Sequence, residues 1–385
     1  MSNVLTGRRV LELGGYLAAP FAGRILASYG AEVIKIEPPL GDATRRLPSP
    51  ATFVSQNSGK RSVCLDLYTS RGREVFDRLL ENADVVLHTL APNATARLRL
   101  TADDCARVNP EIVYCKITAY GPGPKEAEVA SNPLIEAATG VMFGNRAEGR
   151  PVRQALAYYD MAAGSMAVIA ILAALTSDDR SARRVEVPLY EVGLYISSIN
   201  ILADQISPQS AAPTPGKTEF SQPGYGTYET GDGRWIYLMV LTDAHWNQFC
   251  AALADEVDPD FAQVAGRRQR AEAVEEFVRT AIRAHSYDEA VARLREEGLG
   301  FEEVRPRGDV LGHEQARVPG KLTPVEFGGH HLEMPSFPIL SRGTDSGSDP
   351  TPPALGHDTI DVLESVGYDK DAIAQLLADG VACGV

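Results

Sequence analysis

The first 36 residues constrain the fold more than any other stretch. Val10–Leu13 is a short apolar run suited to a buried strand. Ala18–Tyr29 has helical character, with Pro20 in the first turn, where a missing N–H costs nothing, and Gly30 as its stop. Ala31–Ile36 reads as a second strand. Strand, helix and strand within about 35 residues form a βαβ unit, and such a crossover makes the two strands parallel. The pattern recurs. Arg61–Leu67 is strand-like, Ser70–Asn82 is an amphipathic helix and Asp84–His88 a strand, and Ala102–Asn109 and Ile112–Ile117 repeat the alternation. The expected class is α/β, with a doubly wound character.

The second half changes texture. Asp160–Leu175 is an Ala-rich helix, Arg184–Pro188 a strand and Tyr190–Ile206 a further helix. Ser207–Gln222, rich in Pro, Ser, Ala and Gly, reads as a linker. Two strands around Gly231–Gly233 and helices over His245–Leu253, Arg268–Ala284 and Tyr287–Glu297 suggest a small domain. Lys321–Phe337 is β-like, Ser341–Pro353 a loop, and Thr359–Val366 and Lys370–Ala378 are closing helices. The apolar run Met161–Leu175 is about 15 residues, short of the about 20 a bilayer span needs, so a buried helix is expected.

The net charge of −14 argues against nucleic acid and anionic membranes as partners, since both demand clustered cations. A small anion feels only the local field, and Lys60, Arg61 and Arg97 lie in a first third where cations are common. The five cysteines are scattered and form no CxxC, which suits free thiols in a reducing cytoplasm. Met1–Gly7 does not look like the start of a signal peptide. Gly216-Lys217-Thr218 ends like a phosphate loop, but Ala211 stands where the glycine is required. His313-Glu314 lacks its partner histidine, Arg317 standing there. The adjacent His330 and His331 would point to opposite faces of a strand, so no metal site is expected.

Asp160 opens the Ala-rich helix in Tyr158-Tyr159-Asp160-Met161-Ala162-Ala163-Gly164. Two readings share the same physics. As an N-cap, its carboxylate accepts backbone N–H bonds. As a nucleophile, it is kept ionised by the helix N-terminus, beside small residues that let a bulky substrate approach. Spacing alone leaves both open.

Longer blocks carry a resemblance. Leu5–Leu13, Ala18-Ala19-Pro20, Leu26–Pro38 with Gly41-Asp42, Asn57–Val63 with Leu65-Asp66-Leu67, Ala119–Pro124, Asp160 with Gly164, Gly226–Ile236, and Leu355–Thr359 follow the order of motifs in class III (CaiB–BaiF type, formyl-CoA transferase-like) CoA-transferases. The resemblance covers nearly the whole chain. It implies a large α/β domain built from both chain ends, a smaller inserted α+β domain, and an interlocked homodimer. On that plan, residues 1–206 begin the large domain, 207–320 form the linker and small domain, and 321–385 return to the large one. The resemblance makes Asp160 the nucleophile that attacks an acyl-CoA, passing through an aspartyl anhydride and an aspartyl-CoA thioester. It places Tyr16, Leu17 and Ala18 near the pantetheine and Arg97, Lys60 or Arg61 near phosphates. Gly224 and Gly226 would let a loop approach the acyl group. Acyl-CoA and a small carboxylic acid are the implied substrates, with no tightly bound cofactor and a cytoplasmic setting. Two departures stand out: Ser181–Arg184 replaces the usual G-x-G-Q, and Ser131-Asn132-Pro133 stands where the family commonly has G-x-D. Without a histidine base in the latter segment, racemase or epimerase chemistry is a weaker alternative. Transfer within one unsaturated C5 diacid and non-catalytic CoA binding are the others.

Overall fold

The computed structural model describes residues 4–147, 149–206, 222–254, 256, 258–338 and 351–384. The expected linker lies outside these residues as far as Ser221, and the expected Ser341–Pro353 loop as far as Pro350. The chain divides into two compact units. One comprises Met1–Phe143, Arg150–Ser198 and Pro319–Val385, the other Gly144–Gly149 and Ile199–Val318.

In chain order the elements used below are β1 (Arg9–Leu13), α1 (Ala18–Ser28), β2 (Glu32–Glu37), β3 (Arg61–Leu65), α2 (Ser70–Glu81), β4 (Val85–His88), β5 (Val113–Thr118), α3 (Asn132–Ala138), α4 (Tyr158–Thr176), β6 (Arg184–Pro188) and α5 (Leu189–Ile196). They continue with β7 (Tyr225–Glu229), β8 (Trp235–Met239), α6 (Asp243–Leu253), α7 (Ala271–Arg283), α8 (Tyr287–Glu296), β9 (Phe301–Glu303), β10 (Leu322–Phe327), β11 (His330–Pro335) and β12 (Ala382–Cys383).

The first unit is built on a seven-stranded sheet in the order β12-β3-β2-β1-β4-β5-β6. All neighbours are parallel except the short β12, which runs against β3. Leu11 stands in register with Ile34 on one side and Val86 on the other. Side chains alternate across the pleat and feed two apolar layers. Val10, Val33, Val85 and Val113 face α1 and α4. Leu11, Ile34, Val63 and Val86 face α2 and two C-terminal helices, which contribute Val362, Leu363, Ile373 and Leu376. Each such side chain, fully buried, contributes about 1.5–3 kcal/mol. The fold is therefore the expected α/β arrangement with a large parallel sheet.

Three local expectations are revised. The helix expected from Asp160 begins two residues earlier, at Tyr158, and its 19 residues are long and apolar enough to cross a membrane by length and composition alone. It packs on α1, β5, β6 and α5, with Ala163, Ala167 and Ile171 fully buried. The helix expected over Tyr190–Ile206 is broken at Ser197. Cys64 and Cys383 are joined as a disulfide between β3 and β12, whereas all five cysteines were expected as thiols; Cys105, Cys115 and Cys250 are free. Wide spacing in the sequence hid the pair, because an antiparallel edge strand brings the chain's end back to β3.

The second unit holds a three-stranded antiparallel sheet, β9-β8-β7, covered by α6, α7 and α8. Trp246, Phe249, Val278 and Leu294 form its core.

Candidate active site

After β1 the chain turns out to β2 and β3, and it later returns to place β4 on the other flank of β1. The strand order reverses there, and the connections leave the carboxyl ends of the strands in opposite directions, which opens a crevice. A cavity of about 280 Å³ occupies it. Leu13, Ile36 and Leu65 at the strand ends form its floor, and Gly15, Tyr16 and Tyr68 belong to its walls. Tyr16 has φ +64° and an exposed ring. A left-handed conformation costs a residue with a Cβ roughly 1–2 kcal/mol, so the turn is held by its surroundings.

A fully buried ionic array supplies that hold. Lys35 Nζ lies 3.1 Å from Glu12 Oε1 and 2.9 Å from Asp42 Oδ2, and it donates to the carbonyl of Gly14 at 2.9 Å. Burial opposes the Lys35 charge, but Glu12 and Asp42 outweigh it and hold its pKa above the ordinary value. Lys60 Nζ donates to Glu12 Oε2 at 2.6 Å, to the Pro20 carbonyl at 2.9 Å and to Asn57 Oδ1 at 3.2 Å. Burial pulls the Lys60 ammonium down to about 8. Glu12 and Lys35 were not picked out from the sequence. Their signal was available: charged residues inside strands that are otherwise apolar and covered on both faces must find partners.

Asp160 lies in the first turn of α4 but does not cap it. The N-cap position is Ala157, which offers no side-chain bond. Asn132 does that work from α3. Its Oδ1 accepts from the backbone N–H of Tyr159 at 3.0 Å and of Asp160 at 3.3 Å. Asn132 Nδ2 in turn donates to Glu136 Oε1, while Glu136 Oε2 accepts from the backbone N–H of Gln154 at 3.0 Å. Asn132 and Glu136 are both buried. The Asp160 carboxylate takes part in no hydrogen bond or ion pair among the described residues. Burial, and then the Glu136 charge, push it up to about 6. The helix N-terminus was expected to favour its ionised form; burial and Glu136 prevail instead. One turn further along α4, a Cβ on Gly164 would lie 2.7 Å from the carbonyl oxygen of Ala18, at the start of α1. The turn that walls the crevice therefore leads directly to the helix carrying Asp160.

The other expected residues divide into two groups. Tyr16 walls the crevice, Leu17 is the N-cap residue of α1, and Ala18 is buried in its first turn. Arg97 holds its guanidinium 5.1 Å from the centre of the Tyr68 ring, itself a crevice wall, and forms no ion pair among the described residues. Lys60 and Arg61 stand apart from the crevice. Both lie at the amino end of β3, whereas the crevice lies at the carboxyl ends. Lys60 is spent on Glu12, and Arg61 pairs with Glu32 at 2.8 Å and Asp358 at 3.3 Å. In the second unit, Gly224 has φ +86°, and a Cβ there would lie 2.8 Å from that of Val240, so the tight approach needs glycine. Gly226 sits in β7, where a Cβ would meet only the Tyr228 hydroxyl, at 3.9 Å. Tyr68, Asn132 and Glu136 were not identified as site residues from the sequence. Asn132 drew notice only as a departure from a motif.

The sequence profile of CoA-transferase family III matches residues 5–359. An acyl-CoA transferase of Fusarium pseudograminearum is 28% identical, with 98% of this chain and 88% of that protein covered. An (R)-2-hydroxy-4-methylpentanoate CoA-transferase of Clostridioides difficile is 27% identical, with 96% and 97% covered. Among solved structures, a CAIB/BAIF family protein from Brucella suis has the same fold, with a TM-score of 0.83 at 24% identity, covering 95% of this chain and 100% of that one.

Proposed function

The chain belongs to the family III CoA-transferases, and from that premise we propose that it moves CoA from an acyl-CoA to a carboxylic acid through covalent intermediates on Asp160. The observation that carries this reading is the carboxylate itself: it is largely withdrawn from water, yet among the described residues no group is bonded to it.

In the proposed sequence, one Asp160 oxygen attacks the thioester carbonyl. The C–S bond breaks, CoA leaves as thiolate, and a mixed anhydride remains. The thiolate then attacks the aspartyl carbonyl of that anhydride, releasing the donor acid as carboxylate and leaving an aspartyl-CoA thioester. The acceptor carboxylate attacks this thioester, re-forming an anhydride and expelling the thiolate. Attack of the thiolate on the acceptor carbonyl yields the new acyl-CoA and restores Asp160. No step consumes a proton, so the site needs orientation and charge stabilisation more than acid–base groups.

The crevice is the proposed seat of the CoA nucleotide, with Tyr16 and Tyr68 as apolar walls and Arg97 as the phosphate partner. The pantetheine would follow Leu17 and Ala18 toward α4. Leu17 brings no side-chain cap to the first N–H groups of α1, so a ligand oxygen is their proposed partner. Gly224 and Gly226 remain the proposed acyl loop. We read the enzyme as a homodimer, a reading supported by the exposed apolar side chains Leu194, Tyr195 and Ile196 on α5. A cytoplasmic setting is proposed from the family resemblance; the three free thiols suit it and the Cys64–Cys383 disulfide counts against it.

The test is a panel of acyl-CoA donors and carboxylic acid acceptors, with hydroxylamine trapping and mass spectrometry of the Asp160 peptide. A mass adduct on Asp160, and loss of exchange in a folded Asp160→Ala variant, are expected. Normal exchange in Asp160→Ala refutes the reading.

A further inference from the structure

Glu136 is a buried carboxylate with no cationic partner among the described residues, an arrangement that is costly unless something requires it. Both of its oxygens accept hydrogen bonds, one from Asn132 Nδ2 and one from the Gln154 N–H. An acceptor-only group on that side fixes which way the Asn132 amide faces. Nδ2 must turn to Glu136, so Oδ1 must turn to the N–H groups of Tyr159 and Asp160. We propose that Glu136 and Asn132 are paired positioning residues: Glu136 locks the Asn132 amide, Asn132 takes the first-turn N–H groups of α4, and the Asp160 carboxylate is thereby left unbonded for the covalent step. This rests on the reading of Asp160 as nucleophile.

The charged groups on the other elements packed against α4 are engaged elsewhere. Arg24 of α1 donates to the Pro335 carbonyl, Lys116 of β5 pairs with Glu186 of β6, Arg184 of β6 pairs with Asp103, Glu191 of α5 accepts from the Gly121 N–H, and Arg180 and Arg183, in the turn before β6, both pair with Glu111. Among these elements, the ionisable group acting on Asp160 is therefore Glu136.

The geometry makes an unusual prediction about rescue. In Glu136→Gln one of the two accepted bonds must be lost, because a carboxamide has a single acceptor oxygen. In Asn132→Asp two carboxylates face each other and the bridging donor disappears. The double variant Asn132→Asp/Glu136→Gln restores every bond: Asp accepts from α4 and from the Gln amide, and the Gln oxygen accepts from Gln154. The variants are made in the full chain, with folding checked by circular dichroism. Two readouts are taken: the rate of the Asp160 acyl adduct, and the titration of the Asp160 carboxyl by infrared difference spectra of 13C-aspartate-labelled protein against Asp160→Asn.

Asn132→Ala and Glu136→Gln are expected to slow the adduct by roughly tenfold to a hundredfold and to lower the Asp160 titration by about one pH unit. In the first case Asp160 becomes the nearest acceptor for the vacated N–H groups, and in the second a neighbouring negative charge is gone. The double variant should recover both. Single variants that fold and keep the wild-type rate and titration, or a double variant no better than the worse single, overturn the proposal. If wild-type protein forms no adduct on Asp160, the covalent reading falls, and the titrations alone still decide whether the pair positions the carboxyl.

Discussion

At the scale of single residues, a carboxylate nucleophile must be charged to react and poorly solvated to be reactive, and these demands conflict. In Asp160, the proposed nucleophile, the conflict is expressed as an affinity for protons raised to about 6, first by burial and then by Glu136. Reaction by this route requires the ionised form, so kcat/KM should rise tenfold per pH unit below about 6 and level off above it, and a pH–rate profile at acyl-CoA concentrations well below KM checks this. The same shift has a cost in stability, and its sign is fixed. The native state holds this proton more tightly than the unfolded chain, so stability falls as pH rises from about 4 to about 6, and the loss is complete above that. Asp160→Asn removes the penalty. The variant should be more stable than wild type by about 3 kcal/mol at pH 8, with the difference vanishing near pH 4. Denaturant titrations of both proteins at the two pH values measure it.

At the scale of elements, the site depends on how closely α1 and α4 approach. Gly164 allows that approach, and a Cβ there would meet a backbone oxygen rather than a flexible side chain. Gly164→Ala should therefore cost about 1–3 kcal/mol by thermal denaturation. Because α1 must move, KM for acyl-CoA should also rise more than kcat falls; an unchanged KM would separate the two effects. Elements were also the level at which the sequence was most legible. Apolar runs of strand length alternating with helical spacing identify β1, α1, β2, β3 and α2 because burial on both faces leaves few other patterns. The caps were not legible. Spacing alone left a cap reading of Asp160 open because Asn132, 28 residues earlier in the chain, takes the first-turn N–H groups only after folding. Lys60 and Arg61 lie away from the crevice for a reason the sequence does not display. Cations near a ligand motif look alike in a sequence, but in a parallel sheet every residue that opens a strand lies away from the carboxyl-end crevice. Arg97, which follows β4, lies on the crevice side.

At the scale of the molecule, the first unit is assembled from both ends of the chain, and its closure is concentrated at one sheet edge. β12 pairs with β3, bringing Ala382 opposite Leu65 and Cys383 opposite Cys64. Thr359 Oγ1 accepts from the Cys64 N–H and donates to the Cys383 carbonyl, so the start of the first closing helix is tied to the same point. Those helices supply one apolar layer of the sheet, so loosening this edge exposes the core that supports the crevice floor at Leu65. The disulfide spans 319 residues of sequence, and a cross-link over so long a loop removes much freedom from the unfolded chain. Protein unfolded without reductant should therefore titrate three thiols, and five after reduction. Cys383→Ser should lower stability by about 2–5 kcal/mol against oxidised wild type and by far less against reduced wild type. Five thiols in the unreduced protein would show that hydrogen bonds and apolar packing close this edge without a covalent link. The variant and the reduced wild type would then unfold at nearly the same denaturant concentration as the untreated enzyme.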